Sequence, residues 1–431
     1  MKWSAITVCY CSMLLFAAPV AAQERICLAE CIRVALENNY GIKAADTERG
    51  IAANNVTISQ YLPTVAIDGS QNQSIMDSEI ESNGTTNIIN RGVVDVYNAG
   101  VSLNWRLFDG LAMFNEHRKQ KTLFAASNQR LKMLTDNLVA SLCAEYYNIL
   151  VQQKRLEAAQ YSLALSAERY AQAHERYGIG AASGLDLWQA KIDFNADSSK
   201  LMQQEETVRN AYVRLNTLMT TQSMRQGYVD DTIVLAPKMQ YDDVRHAALA
   251  HNNMLLIARH GMDVSDYDLQ IARAAFFPSL NFGAGYSFGL TEAEKAVTTY
   301  NRSNGLNWGF SLSWNIFSGF DVSRRVKNAK LNIKSQEYNY KQLENEVLGD
   351  ITLLYNTYEN NILLIAFEQE SAFVAATSLD IAMSRYKLGN LSGLEFRDYQ
   401  KNYLDAIDRQ WNAMYQAKIS EISLRLMAGE L

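Results

Sequence analysis

Ser102-Leu103-Asn104-Trp105-Arg106-Leu107-Phe108-Asp109-Gly110 recurs, 209 residues later, as Ser311-Leu312-Ser313-Trp314-Asn315-Ile316-Phe317-Ser318-Gly319. Apolar and polar residues alternate in both copies, and a period of two marks a strand with two unlike faces. Reading backwards from Phe317, Trp308, Phe310, Leu312, Trp314 and Ile316 alternate with Gly309, Ser311, Ser313 and Asn315. Each copy is preceded by a second alternating run that opens at a proline. After Pro278, Leu280, Phe282, Ala284, Tyr286 and Phe288 oppose Ser279, Asn281, Gly283, Gly285 and Ser287. After Pro63, Val65 and Ile67 oppose Ala66 and Asp68. Proline cannot continue a helix and biases the residue before it towards extended geometry, so each proline marks a helix-to-strand junction. Between the strands of each pair, Asp77 to Asn98 and Thr291 to Asn307 are rich in Asn, Ser, Thr and Gly. They read as solvated loops.

The duplication extends along the chain. Ala35-Leu36-Glu37-Asn38-Asn39 returns as Ala248-Leu249-Ala250-His251-Asn252, and Tyr61-Leu62-Pro63 as Phe276-Phe277-Pro278. Arg176-Tyr177-Gly178-Ile179-Gly180-Ala181-Ala182-Ser183-Gly184-Leu185-Asp186 returns as Arg385-Tyr386-Lys387-Leu388-Gly389-Asn390-Leu391-Ser392-Gly393-Leu394-Glu395. After each second strand, apolar residues step by three and four: Leu131, Leu134, Leu138, Leu142, Tyr146, Ile149, then Leu343, Val347, Ile351, Leu354, Tyr358, Ile362. This is a coiled-coil-like seam. Only four prolines occur, none between Pro63 and Pro237 and none after Pro278. Helices over 111–177 and 320–386 would each run about 100 Å at 1.5 Å per residue. Gly180 and Gly389 suit the left-handed position that closes a helix. Ser183 with Asp186, and Ser392 with Glu395, form capping boxes that open the next helix.

The expected organisation is a signal peptide at 1–22, a first repeat at 23–220, a linker or equatorial segment at 221–240, and a second repeat at 241–431. The first repeat holds strands near 64–74 and 100–108, a long helix 111–177, a tip 178–184 and a return helix 185–220. The second holds strands near 279–289 and 308–317, a long helix 320–386, a tip 387–393 and a return helix 394–428. The leader rests on Lys2, the apolar stretch Ile6–Ala18 and the small residues Val20-Ala21-Ala22. Cys27, Cys31 and Cys143 then remain; without nearby histidines they make a poor zinc site and read as buried or idle thiols.

The chain has 431 residues, 48% hydrophobic and 20% charged, with a formal net charge of −6. That balance argues against a general nucleic-acid binder. The five histidines are scattered, and neither Gly178-Ile179-Gly180 nor Gly283-Ala284-Gly285 lies between a strand and a helix as a phosphate loop should. No enzyme and no cofactor is implied. Each strand has roughly the 9–11 residues of a membrane-spanning strand. Its apolar face carries Trp105, Phe282, Tyr286, Phe288, Trp308, Phe310 and Trp314, as a lipid face would. Open edges cannot face lipid, and the smallest spanning barrels have about eight strands. Four strands therefore need other subunits to close, and the glycine-rich polar face favours an open lumen and three subunits. The competing reading is a non-transporting periplasmic coiled-coil scaffold, which accounts for the seams and tips but not for the aromatic strands.

At these residues the sequence resembles the TolC family of outer-membrane efflux proteins. The duplicated unit, the junctions at Pro63 and Pro278, Trp105-x-x-Phe108-x-Gly110 with Trp314-x-x-Phe317-x-Gly319, and the Arg-Tyr-x-x-Gly-x-x-Ser tips carry the likeness over nearly the whole chain. The resemblance implies a mainly α fold with a small β part. A homotrimer would form a 12-stranded transmembrane β-barrel continuous with a periplasmic α-helical barrel. Its expected partners are outer-membrane lipid, a periplasmic adaptor and an inner-membrane transporter, and its function a passive exit duct for efflux or type I secretion, gated at the tips. By position, Asp186 and Tyr386 fall on a tip-linking pair, and Glu395 and Asp398 on an acidic ring. The arginine of the tip lock in the best-known member aligns with Leu391, so the lock is weaker here or rests on Arg176 and Arg385. From spacing alone, Asp186 and Glu395 are also helix caps, a role compatible with gating.

Overall fold

A computed structural model describes residues 26–82, 84–221, 229, 232–294 and 298–431. The signal segment 1–22 and much of the linker lie outside the described residues. Helices α1 (Leu28–Asn38) and α2 (Tyr40–Asn55) and a 3-10 turn (Ser59–Tyr61) lead to strands β1 (Thr64–Ser82) and β2 (Thr85–Phe108). Helices α3 (Ala112–Gly178) and α4 (Gly184–Met219) complete the first copy. The second copy runs α5 (Tyr241–His251), α6 (Asn253–Ala274), β3 (Ser279–Ala293), β4 (Tyr300–Ser313), α7 (Asp321–Lys387) and α8 (Gly393–Ala428). Helices α3 and α7 each have 67 residues, and α4 and α8 each have 36.

The chain divides into two compact units, and each draws on both copies. One comprises Tyr40 and the described residues before it, Leu138–Lys238 and Leu354–Ser423. It is helical. Its main core joins Cys31 and Ala35 of α1 to Leu142, Tyr146 and Ile149 of α3 and to Ala211 and Leu215 of α4. A second cluster joins Leu165 of α3, Leu379, Met383 and Tyr386 of α7 and Phe396 of α8. Asn39, which follows α1, donates its side-chain amide to Leu218 O at 3.2 Å. Burial pushes the Cys31 thiol up to about 11; Cys143 is also buried, and Cys27 is exposed.

The other unit comprises Gly41–Asn137, Met239–Leu353 and Leu424–Leu431. It holds one four-stranded antiparallel sheet in the order β1-β2-β3-β4. The repeated asparagine recurs here: Asn252 donates to Met427 O at 3.0 Å and its side-chain oxygen caps α6 at Met254 N and Leu255 N.

Two expectations about the strands are corrected. Asp77–Asn98 and Thr291–Asn307 are not loops: the first is mostly strand, and in the second only a short connection separates β3 from β4. The ladder between β2 and β3 ends at Val94 and Ala293, beyond which β1 and β2 continue as a ribbon. A bulge sets Asn90 and Arg91 of β2 opposite Asp77, whose carboxylate accepts from Arg91 N. No period of two marks the ribbon, because its apolar residues come in adjacent pairs, Ile88-Ile89 and Val93-Val94, among polar ones. Conversely β4 stops at Ser313, leaving Trp314, Ile316 and Phe317 past its end.

Candidate functional site

The register of the sheet sorts its residues onto two faces. Residues directly opposite share a face. Val65 opposes Leu103, Ile67 opposes Val101, Tyr286 opposes both Val101 and Leu306, and Phe282 opposes Phe310. With Trp308 they make one apolar face. Phe282 and Phe310 have ring centroids 5.0 Å apart. The other face pairs Ser102 with Gly285, Asn104 with Gly283, Gly283 with Gly309 and Asn281 with Ser311. Trp308 is 69% exposed and Phe310 63%, so the apolar face is bare in the single chain. Among the described residues β1 and β4 each have one neighbour, leaving two open edges.

Trp105 and Trp314 have a further attachment. The Trp105 indole N–H donates to Tyr61 O at 2.8 Å, and the Trp314 indole N–H donates to Phe276 O at 3.0 Å. Each carbonyl lies two residues before the junction proline. The repeated tryptophan thus pins the helix-to-strand turn in both copies, and Trp314 does so from outside the strand. Gly110 and Gly319 close the same motif in left-handed geometry. At Gly110 a Cβ would sit 2.4 Å from Ala274 O, so only glycine fits.

The tips are built alike. Arg176 O accepts from Ala181 N and Tyr177 O from Gly180 N; Arg385 O accepts from Asn390 N and Tyr386 O from Gly389 N. These are paired Schellman closures, with Gly180 at φ +74° and Gly389 at φ +78°. Ser183 Oγ then accepts from Asp186 N at 3.2 Å, and Ser392 Oγ from Glu395 N at 3.3 Å. The second box is complete, because Glu395 Oε2 also accepts from Ser392 N at 2.9 Å. The Ser392 hydroxyl and backbone N–H together hold the Glu395 carboxyl below its usual range. The Asp186 carboxylate instead takes the Ser183 hydroxyl at 2.8 Å.

Asp186 and Tyr386 are not brought together within the chain. Tyr386 is 7% exposed, 5.5 Å from Phe396 centroid to centroid. The guanidinium of Arg176 lies 5.7 Å from its ring centre and that of Arg169 5.9 Å. Arg176 also donates to Tyr386 O at 3.3 Å and Lys387 O at 2.9 Å. It thereby binds the last carbonyls of α7, where a cation is favoured. Arg385, its counterpart, is exposed. Glu395 and Asp398 are both exposed. Leu391 packs on the apolar cluster around Tyr386 and Phe396.

Sequence reasoning missed a buried polar network behind the tips. Asp197 of α4 is 2% exposed and accepts from both Arg397 Nη1 (2.6 Å) and Nη2 (2.8 Å) of α8. Ser166 Oγ of α3 also donates to it. Gln400, with no exposure, donates to Ser162 O at 2.8 Å, Ser166 Oγ at 2.9 Å and Asp197 Oδ2 at 3.1 Å. Arg169 Nη1 donates to Asp193 Oδ2 at 2.6 Å. Burial opposes the charge on Asp197, but hydrogen bonds from Arg397 and Ser166 and the guanidinium charge outweigh it, and its carboxyl lies below the usual range. The available signal was the spacing of Asp193 and Asp197, which shares one helix face with an ordinary solvated pattern.

A family model described as "Outer membrane efflux protein" matches residues 31–221 and 244–430. The chain is 22% identical over 345 residues to the alkaline protease secretion protein AprF of Pseudomonas aeruginosa, covering 78% of this chain and 70% of that one. It is 20% identical over 416 residues to the proteases secretion protein PrtF of Dickeya chrysanthemi, covering 94% and 88%. The cation efflux system protein CusC of Escherichia coli K12 is 22% identical over 335 residues, covering 77% and 72%. Among solved structures, the Campylobacter jejuni CmeC outer membrane channel superposes with a TM-score of 0.77 at 19% identity, over 100% of this chain and 94% of that one. Duplicated copy, two-faced sheet, paired tips and family match agree, and the chain belongs to the outer membrane efflux protein family.

Proposed function

We propose that three copies of this chain close into one duct, a twelve-stranded barrel in the outer membrane continuous with a helical tunnel in the periplasm. The observation that carries this is the sheet: one bare apolar face, one polar face and two open edges. Unpaired backbone groups cannot face lipid, and four strands are too few to close. Because each neighbouring pair is antiparallel, β1 and β4 run in opposite senses. Joining β4 of one copy to β1 of the next therefore continues the alternation. The apolar face would meet lipid, and Asn104, Gly283, Gly285 and Ser287 would line a wet lumen.

The periplasmic end is the gate. Arg176 ties the first tip to the end of α7 and supplies the lock that Leu391 does not. Glu395 and Asp398, repeated by the threefold axis, ring the constriction with carboxylates that attract cations. Docking of a periplasmic adaptor and an inner-membrane transporter opens it. Purified in detergent, the protein should have the mass of a trimer and give small, cation-selective, long-lived openings in planar bilayers. A water-soluble monomer or dimer that never inserts would overturn this reading in favour of a periplasmic scaffold.

A further inference from the structure

The long helices of the two copies align without a gap, since one offset of 209 residues carries Ala112 to Asp321 and Gly184 to Gly393. Each side chain of the first hairpin (α3 and α4) therefore has a defined counterpart on the second (α7 and α8). On the first hairpin, Ser162, Ser166, Asp193 and Asp197 bound a trough filled by Arg397 and Gln400 of α8. On the second, the counterparts Ser371, Ala375, Asn402 and Ala406 bound an unfilled groove of about 530 Å³. The counterparts of the two fillers are Trp188 and Lys191 of α4, and Trp188 is 65% exposed.

The exchanges between copies are mutually compensating. Tryptophan in place of Arg397 needs more room and no counter-ion. Ala406 in place of Asp197 and Ser378 in place of Arg169 supply room and remove charge. Lysine in place of Gln400 brings a cation, which within the chain lies 4.7 Å from the Tyr170 ring centre. Glu370 and Asp405 line the groove where the first hairpin has Tyr161 and Ala196. A rotation that repeats the hairpin-to-hairpin packing inside the chain brings α4 of another molecule onto this groove.

We propose that the groove is the seat of a second copy of this chain, with Trp188 as the wedge and Lys191 facing Glu370 and Asp405. The two kinds of seam around the ring then differ: a buried ion-pair network within each copy, an aromatic wedge between copies. The proposal rests on the reading that copies close into a ring.

The test is a cysteine pair, Lys191→Cys with Ala375→Cys, at counterparts of Gln400 and Ser166, whose polar atoms are 2.9 Å apart within the chain. Mild oxidation should give a ladder of covalent dimer and trimer on non-reducing gels. Each single variant should give none, and reductant should collapse the ladder. Trp188→Ala should shorten the lifetime of the detergent trimer at least tenfold, and Trp188→Phe should recover most of it. A trimeric mass with no cross-link and an unchanged Trp188→Ala lifetime would refute the groove and leave the ring standing. A monomeric mass would refute both.

Discussion

Replacing Asp197 by alanine removes the acceptor for two nitrogens of Arg397, for Ser166 and for one N–H of Gln400. Breaking a buried ion pair from one side costs about 3–5 kcal/mol, because the remaining charge is left without compensation. The Arg397 side chain keeps 22% exposure, and its Nε lies 4.0 Å from Asp193, so some charge pairing survives. We therefore expect the low end, about 3 kcal/mol. Adding Arg397→Met to Asp197→Ala leaves no orphaned guanidinium, so the double variant should cost less than the sum of the singles by at least about 1 kcal/mol. The readout is unfolding of the helices in detergent, followed by circular dichroism at one protein concentration, since assembly makes stability concentration-dependent. The dependence on pH gives an independent check. A carboxyl held below its usual range in the folded state adds stability that is complete above the unfolded value, about 3.9. That stability is lost as pH falls through the lower folded value. Wild type and Asp197→Ala should differ by a constant amount from pH 5 to 8 and converge below about pH 4. A single variant within about 0.5 kcal/mol of wild type, or singles that simply add, would refute the account of this network.

Two other outcomes follow from the tips. Gly393→Ala places a Cβ 2.7 Å from Arg169 Nη2 and 3.2 Å from its Cζ, driving the guanidinium away from Asp193 and Tyr386. It should cost about 1–3 kcal/mol in the same unfolding measurement, whereas Gly184→Ala, which meets only Tyr177 at 3.6 Å, should be neutral or slightly stabilising. The triple variant Asp186→Ala, Glu395→Ala, Asp398→Ala should raise single-channel conductance or weaken cation preference in planar bilayers; unchanged values would place the constriction elsewhere.

The long helices were legible because their apolar residues step by three and four over proline-free stretches. Leu142, Tyr146 and Ile149 on one seam, and Val347, Ile351 and Tyr358 on the other, are all buried. The tips were legible because each needs a left-handed glycine and a serine at fixed distance, and the need arises twice. The outer parts of β1 and β2 were not, since their apolar residues come in adjacent pairs, Ile88-Ile89 and Val93-Val94, and do not alternate. Trp105 and Trp314 were read by their rings alone, while their N–H groups decide a turn. The network around Asp197 escaped for another reason. Charges three and four apart look the same on a wet helix as on a buried one, and what distinguishes them is a partner 200 residues away. Comparing the copies position by position would have exposed it, because Asp193, Asp197 and Arg169 face Asn402, Ala406 and Ser378 in the other copy.

The two open strand edges bear on how the molecule is made. A freshly exported chain has no state in which β1 and β4 are both satisfied alone, and an exposed edge is a template for indiscriminate pairing. In the proposed trimer, the strands of each chain would mature only as fast as its neighbours arrive. Yield should therefore rise more steeply than linearly with expression, and scarce chains should be lost to proteolysis before they find one another.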